Sequence, residues 1–219
     1  MTGGIGVIFD LDGVLVDTAE FHYQAWQRLA DRIGVPFNRQ RNDALRGVDR
    51  MNSLLLLLGD HAGRFTAAEK AAFCTEKNAE YVRLIEHISP RDLLPGAAAL
   101  LQALRSDGVP MAVASSSKNA RPVLERLGIM PLLKAVVDGS EVAVAKPAPD
   151  LFLLAARRLG VAPGRCIVVE DAEAGVAAAR AGGMHCIGIG TPDCVGAADA
   201  VVGSVAEITP AAVESLIRG

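Results

Sequence analysis

The sequence predicts a doubly wound α/β core on a parallel sheet, Rossmann-like in rhythm, with a small α-helical cap inserted after the first strand. Three observations predict it. Short unbroken apolar runs alternate with longer stretches that carry Ala and Leu at helical spacing. Glycines stand at the ends of those helical stretches, where a chain leaves a helix most easily. After the first apolar run, about eighty residues pass without a strand signal, far beyond the roughly dozen residues of an ordinary crossover.

Taken in order, residues 5–9 read as the first buried strand. Asp17 or Thr18 can cap the next helix, which runs through Phe21, Ala25, Leu29 and Ile33 with Glu20 in its first turn. A second helix is expected over 52–58 and a third from Ala67 to about Ile85, ending before Ser89-Pro90. Leu94-Pro95-Gly96 then returns the chain to the core. The remaining strands are expected at 110–114, 135–137, 166–169, 185–189 and 200–202. The helices between them fall at 97–107, 120–127, 149–159 and 172–181, stopped by Gly108, Gly128, Gly160 and Gly182 or Gly183. The expected domains are therefore 1–14 with 95–219 for the core and 15–94 for the cap with its hinges.

Composition fits this plan. A chain of 219 residues exceeds the common domain size of roughly 100 to 150, which suits one core with an insertion. At 51% hydrophobic and 21% charged residues it is an ordinary folded protein. The 22 basic residues against 25 acidic ones provide no global basic field, so nucleic acid is excluded as an expected partner. One Trp, two Tyr and six Phe are too few for a stacking platform, so a small ligand must be held by polar contacts. Cys74, Cys166, Cys186 and Cys194 lack CxxC spacing, and two of them lie in strand-like runs, which points to a reducing compartment. No leader-like start is evident, and no apolar run approaches the roughly 18 residues of a membrane span. The expectation is a soluble cytoplasmic monomer.

Polar residues gather at the carboxyl ends of the predicted strands, the edge where open α/β sheets bind ligands. Asp10 and Asp12 follow the first strand, residues 115–119 the second, Asp138 the third, and Glu170 with Asp171 the fourth. Carboxylates at Asp10, Asp12, Glu170 and Asp171 would repel one another unless a hard divalent cation joined them, and magnesium is the physical inference. Taken alone, Glu170-Asp171 reads equally well as the acidic N-terminus of a helix. Asp10 is a candidate nucleophile toward phosphorus, and Asp12 a candidate acid-base partner. Ser115 with the following amides can bind the transferring oxygens, and Lys146 in the Lys146-Pro147 turn supplies positive charge.

Asp10-Leu11-Asp12-Gly13-Val14, Ser115, Lys146-Pro147 and Glu170-Asp171 resemble, in order and position, the four motifs of the haloacid dehalogenase superfamily. Asp at both the first and third positions of the opening motif is similar to the phosphate-transferring branch, which implies an aspartyl-phosphate intermediate. The segments around Asp17 to His22, Leu45 to Arg50, Ala114 to Asn119 and Ala145 to Asp150 further resemble the beta-phosphoglucomutase family. That resemblance implies interconversion of beta-glucose 1-phosphate and glucose 6-phosphate through beta-glucose 1,6-bisphosphate. Asp10 would carry the phosphoryl group and Asp12 would serve as acid and base. Magnesium would be held by the Asp10 carboxylate, the Asp12 carbonyl and Asp171, with Glu170 in or near the set. Ser115 and Lys146 would steady the phosphoryl group.

By the same resemblance, Arg50 would contact the distal phosphate, and Arg46, Gly47, Ser53 and Lys77 the sugar. Ser116, Ser117, Lys118 and Asn119 would line the core side. Arg46 stands where the family has lysine. Thr18 and His22 fall in the hinge, where His22 resembles a residue that couples cap closure to Asp12. Trp26 suits cap core better than a sugar platform, though its edge can do both. For Arg50 there is also a physical case, because a guanidinium grips phosphate bidentately and a mutase must bind phosphate at both ends of its substrate. The leading expectation is the mutase, with a sugar phosphate phosphatase of the same superfamily as the alternative. A catalytically idle phosphosugar sensor is disfavoured by the complete set of acids.

Overall fold

The computed structural model describes residues 4–45 and 48–218, and divides the chain into two compact units, Met1–Asp17 with Ile88–Gly219 and Thr18–His87. The first unit holds a six-stranded parallel sheet: β1 (Gly6–Phe9), β2 (Met111–Ala114), β3 (Ala135–Val137), β4 (Cys166–Glu170), β5 (His185–Ile189) and β6 (Ala200–Val202). Their order is β3-β2-β1-β4-β5-β6. The direction of winding therefore reverses between β1 and β4, which opens a crevice at the carboxyl ends of those two strands. β1, β2 and β4 are buried along their whole length because helices cover both faces, which is why they read as unbroken apolar runs.

Five helices of ten residues or fewer complete this unit after its crossovers: α5 (Ala97–Ser106), α6 (Ala120–Arg126), α7 (Asp150–Leu159), α8 (Glu173–Ala181) and α10 (Pro210–Arg218), with a single turn, α9 (Pro192–Val195), before β6. Leu151, Phe152, Ala155 and Leu159 of α7 and Val176 and Ala179 of α8 close over Ile8, Ala112, Val168 and Cys186 of the sheet. Strand starts differ from expectation by one residue at two places. Pro110 carries no N–H for the ladder, and its carbonyl instead accepts from Val7 N at 3.1 Å, so β2 begins at Met111. β1 begins at Gly6, after a half-buried Ile5.

The second unit contains α1 (Ala19–Ile33), α2 (Arg39–Asp43), α3 (Arg50–Leu58) and α4 (Ala67–Leu84). Trp26, Leu29, Leu54, Leu57, Leu58 and Phe73 form its own apolar core. Ion pairs stitch α1 to α4 on the outside, Arg28 to Glu80 at 2.5 Å and Arg32 to Glu76 at 2.6 Å. Thr66 and Glu69 form a reciprocal capping box at the start of α4. Two expectations are corrected at helix starts. Thr18 occupies the N-cap of α1 but its side chain makes no capping bond, and α3 begins at Arg50 instead of residue 52 because Asp49 accepts from Met51 N and Asn52 N at 3.0 and 3.2 Å. The short helix α2, capped by Asn38, was not expected.

The helical unit spans Thr18–His87, against the expected 15–94. The physical reason lies in the two connecting segments. Val16 bridges antiparallel to Leu93, and Leu94 N donates to Leu15 O at 2.9 Å, so both connectors pack with the sheet domain. The Asp12↔Val16 bridge and the bond from Gly13 N to Val16 O, 2.8 Å, fold the first connector back on itself.

Candidate active site

β1 ends at Phe9, and Asp10 continues its ladder by donating its N–H to Val169 O at 2.9 Å. This pins the Asp10 carboxyl group beside the end of β4, where Glu170 is the last strand residue. Lys146, in a loop whose bond to Pro147 is cis, reaches between them. Its Nζ donates to Asp10 Oδ1, to Glu170 Oε2 at 2.9 Å and to Ala114 O at 3.4 Å, and lies 4.7 Å from the centre of the Phe152 ring. All three charged groups are buried, with Glu170 only 1% exposed.

The electrostatics follow from this crowding. Burial alone would lower the lysine's pKa, but attraction to Asp10 and Glu170 outweighs it and holds Lys146 above its ordinary value, a fixed ammonium. Glu170 moves the other way. Burial pushes its carboxyl up to about 8, Asp10 and Asp171 add to the rise, and Lys146 opposes it. Side-chain oxygens of Asp10, Glu170 and Asp171 lie within 4.8 Å of one another. Lys146 is a single counter-charge for this cluster of acids, and like charges about 4 Å apart repel by about 4 kcal/mol even at an effective dielectric near 20.

This donor set fits a hard divalent cation. Every donor is a carboxylate oxygen, the preference of magnesium, and octahedral ligands at roughly 2.0–2.1 Å stand up to about 4.2 Å apart, so a small inward adjustment of the side chains suffices. Two glycines make the cradle. A Cβ at Gly13, which sits at φ +81°, would fall on the Asp171 carboxylate, and a Cβ at Gly175 would fall on that of Glu170. Glu170 Oε1 in turn accepts from Ala172 N at 3.1 Å. The helix-cap reading of Glu170-Asp171 is therefore corrected, since Ala172 is the N-cap residue of α8 and both acids precede it, turned toward Asp10.

After β2, Ser115 donates its N–H to Val137 O at 3.0 Å, which fixes the loop to β3. Its hydroxyl accepts from Ser117 N at 3.1 Å, and that of Ser117 accepts from Asn119 N at 3.2 Å. These two turns wind residues 115–119 into a tight loop ahead of α6. Ser116 Oγ is buried and has no hydrogen-bond partner among the described residues, and Lys118 is exposed. Asp138 at the end of β3 is a loop anchor: its Oδ1 accepts from Ser140 N and Oγ at 2.9 and 2.5 Å, and Oδ2 lies 3.6 Å from Arg121 Nε. Asp12 is half-buried, in the fold of the first connector.

A second polar group lies within the helical unit. Lys77, 3% exposed, places Nζ 2.7 Å from His22 Nδ1 and over the rings of Trp26 and Tyr81 at 4.8 and 4.9 Å. His22 stacks on Tyr81 with centroids 4.1 Å apart. Burial together with the cations of Lys77 and Arg50 holds the His22 pKa well below its ordinary value, so the ring is neutral and Nδ1 accepts from the ammonium. Arg50 opens α3, half-buried, and its Nη2 donates to Asn78 Oδ1 at 2.6 Å. Burial lowers its pKa from the ordinary value. Trp26 belongs to the apolar core of the unit, and buried Ser53 donates its hydroxyl to Val48 O at 3.2 Å. Buried Thr18 precedes α1. Arg46 and Gly47, expected to contact sugar, lie outside the described residues.

Comparison with known proteins decides the family. The model of the haloacid dehalogenase-like hydrolases matches residues 6–183. The chain belongs to that family. Among its relatives, the beta-phosphoglucomutase of Bacillus subtilis is 43% identical over 205 residues, covering 93% of this chain and 91% of the relative. The fructose-1-phosphate phosphatase of Escherichia coli is 35% identical over 192 residues, covering 84% of this chain and 95% of the phosphatase. A crystal structure of beta-phosphoglucomutase from Clostridium difficile superimposes with a TM-score of 0.94 at 36% identity, covering 98% of this chain and 97% of that one. The haloacid dehalogenase-like fold thus accounts for the sheet order and the acidic cluster together. Both a mutase and phosphatases stand among its similar proteins.

Three residues of the two groups escaped the sequence reading. Gly175 and Phe152 carry no chemical signal of their own, and only the fold shows that one clears space for Glu170 and the other faces Lys146. Asn78 directly follows Lys77, and a sequence gives no sign that it meets Arg50, 28 positions away.

Proposed function

We propose that this haloacid dehalogenase-like enzyme is a magnesium-dependent phosphomutase that interconverts beta-glucose 1-phosphate and glucose 6-phosphate through beta-glucose 1,6-bisphosphate. The observation that carries the reading is the second cationic group. A hydrolase needs one phosphate subsite, and the set around Asp10 and Lys146 provides it. Arg50 and Lys77, half-buried and buried within the helical unit with a neutral histidine beside them, form a group that suits a second phosphate and sugar hydroxyls. The similarity to the Bacillus subtilis and Clostridium difficile beta-phosphoglucomutases supports the same assignment.

In this mechanism an Asp10 carboxylate oxygen attacks phosphorus and the bond from phosphorus to the sugar oxygen breaks. Asp12 gives that oxygen its proton. On the return step Asp12 takes the proton of the acceptor hydroxyl as the phosphoryl group leaves Asp10. Lys146 offsets charge on the transferring oxygens, and Ser115 with the amides of residues 116–119 hydrogen-bonds them. Asp10, Glu170 and Asp171, with the Asp12 carbonyl, would hold magnesium, which when bound screens the nucleophile from the anionic phosphoryl group. Arg46, Gly47, Ser53, Ser116, Ser117, Lys118, Asn119 and Trp26 belong to this proposal as sugar and phosphate contacts, and Thr18 and His22 as hinge residues acting with Asp12. The enzyme is proposed to be a cytoplasmic monomer. Among the described residues no helix is long and apolar enough to cross a membrane.

The second reading, a sugar phosphate phosphatase, is favoured by the 35% identity to the fructose-1-phosphate phosphatase. A coupled assay separates the two. With beta-glucose 1-phosphate, magnesium and a trace of the bisphosphate, the mutase forms glucose 6-phosphate. Release of inorganic phosphate from both beta-glucose 1-phosphate and fructose 1-phosphate, with no glucose 6-phosphate, would assign the phosphatase.

A further inference from the structure

The described arginines of the helical unit differ in the partners they are given: Arg41 donates to the carbonyls of Pro36 and Leu57, and Arg64 lies 3.4 Å from His61 Nδ1. Arg28, Arg32, Arg39 and Arg83 pair with the carboxylates of Glu80, Glu76, Glu20 and Glu80 at 2.5–2.7 Å. Arg50 is treated differently. Its guanidinium bonds to the amide oxygen of Asn78 at 2.6 Å, in a half-buried setting where a carboxylate would fit the same space. The nearest acid in sequence, Asp49, is engaged in capping α3, accepting from Met51 N and Asn52 N and meeting the Asn52 amide.

We propose that Asn78 is a positioning residue that aims the Arg50 guanidinium at the distal phosphate while leaving its charge unspent. The inference rests on the phosphomutase reading and deepens it. An amide oxygen fixes one of the five N–H donors and so the plane of the fork, but it does not neutralise the cation. A carboxylate in its place would hold the fork equally well and compete with phosphate for it. α4 is suited to the task, because Cys74, one turn before Asn78, places its thiol 3.8 Å from the Arg50 carbonyl, so the same helix steadies both the backbone and the side chain of that residue. Lys77, adjacent on α4, carries the other cation of the group.

The test is a double-mutant cycle read as the KM for beta-glucose 1,6-bisphosphate and as kcat. Asn78→Asp, which keeps the shape and adds a charge, should raise this KM about tenfold or more, the scale of a charge-assisted hydrogen bond, and move KM more than kcat. Asn78→Ala, which frees the fork without neutralising it, should raise it less. In the Arg50→Ala background, Asn78→Asp should change KM by less than about twofold, because its effect is exerted through Arg50. Thermal unfolding midpoints verify that each variant folds, and Asn78→Ala completes the cycle should Asn78→Asp fail to fold. Equal effects in both backgrounds, or no effect in the presence of Arg50, would overturn the role of Asn78. Failure of the unmodified enzyme to form glucose 6-phosphate would instead overturn the mutase reading on which the role depends.

Discussion

Replacing Lys146 by methionine removes the ammonium that contacts both Asp10 and Glu170 and leaves a side chain of similar length against the Phe152 ring. Where Glu170 is ionised, its attraction to Lys146 across 2.9 Å is about 6 kcal/mol at an effective dielectric near 20, and Asp10 adds a second contact. Desolvating the lysine offsets much of that, but the desolvated carboxylates remain after the substitution, so the expected net loss is about 3–5 kcal/mol. In a chain of this size each kcal/mol moves the midpoint by about 2–4 °C, which gives a fall of roughly 6–20 °C in a magnesium-free thermal melt. The loss should depend on pH with a definite sign. Glu170 has a native pKa near 8, above its ordinary 4.5, so its contribution is complete below 4.5 and fades as pH rises toward 8. Without Lys146 its pKa rises further, and the variant should lose more stability at pH 8 than at pH 6. Magnesium should restore more of the midpoint in the variant than in the unmodified protein, because the carboxylates then have no competing cation. A loss below about 1 kcal/mol that is flat with pH would refute the reasoning.

Gly175→Ala should improve helix propensity in α8 by about 1 kcal/mol yet displace the Glu170 carboxyl, weakening magnesium binding on the order of tenfold in a calorimetric titration; unchanged affinity would contradict the cradle. His22 has a native pKa well below 6.5, so its contribution to stability is present above 6.5 and is lost as pH falls below that value. His22→Gln should flatten that acid limb in midpoints measured from pH 7.5 to 5, and a limb as steep as before would assign it to other groups. Asp12→Ala should lower kcat on the order of 10²- to 10⁴-fold with a smaller change in substrate binding, and an unchanged kcat would remove Asp12 from acid-base work.

Much of the fold was legible because its signals are local. Strands buried on both faces show as apolar runs, and β3, β5 and β6 carry the bounds read from sequence alone. The insertion was legible as a missing strand, but its edges were not, since only the pairing of Val16 with Leu93 reveals that the connectors pack with the sheet. Asp10 and Glu170 were legible as acids at strand ends and Lys146 as the lysine of a Lys-Pro turn, and the fold brings them into contact. What could not be read was how polar residues divide their bonds. Asp138 stands at a strand end like the others, yet it anchors the turn to Ser140 and faces Arg121, and the Ser53 hydroxyl is taken by the Val48 carbonyl. Such contacts depend on side-chain direction and on partners distant in sequence, as with Arg50 and Asn78.

The central claim is that the phosphoryl group on Asp10 passes to a sugar and not to water. Phosphorus NMR follows every phosphate pool in one sample of the enzyme with magnesium, beta-glucose 1-phosphate and a trace of the bisphosphate. The account predicts that the glucose 6-phosphate resonance grows as that of beta-glucose 1-phosphate declines, with the inorganic phosphate signal staying at background. Steady growth of inorganic phosphate without glucose 6-phosphate would contradict it.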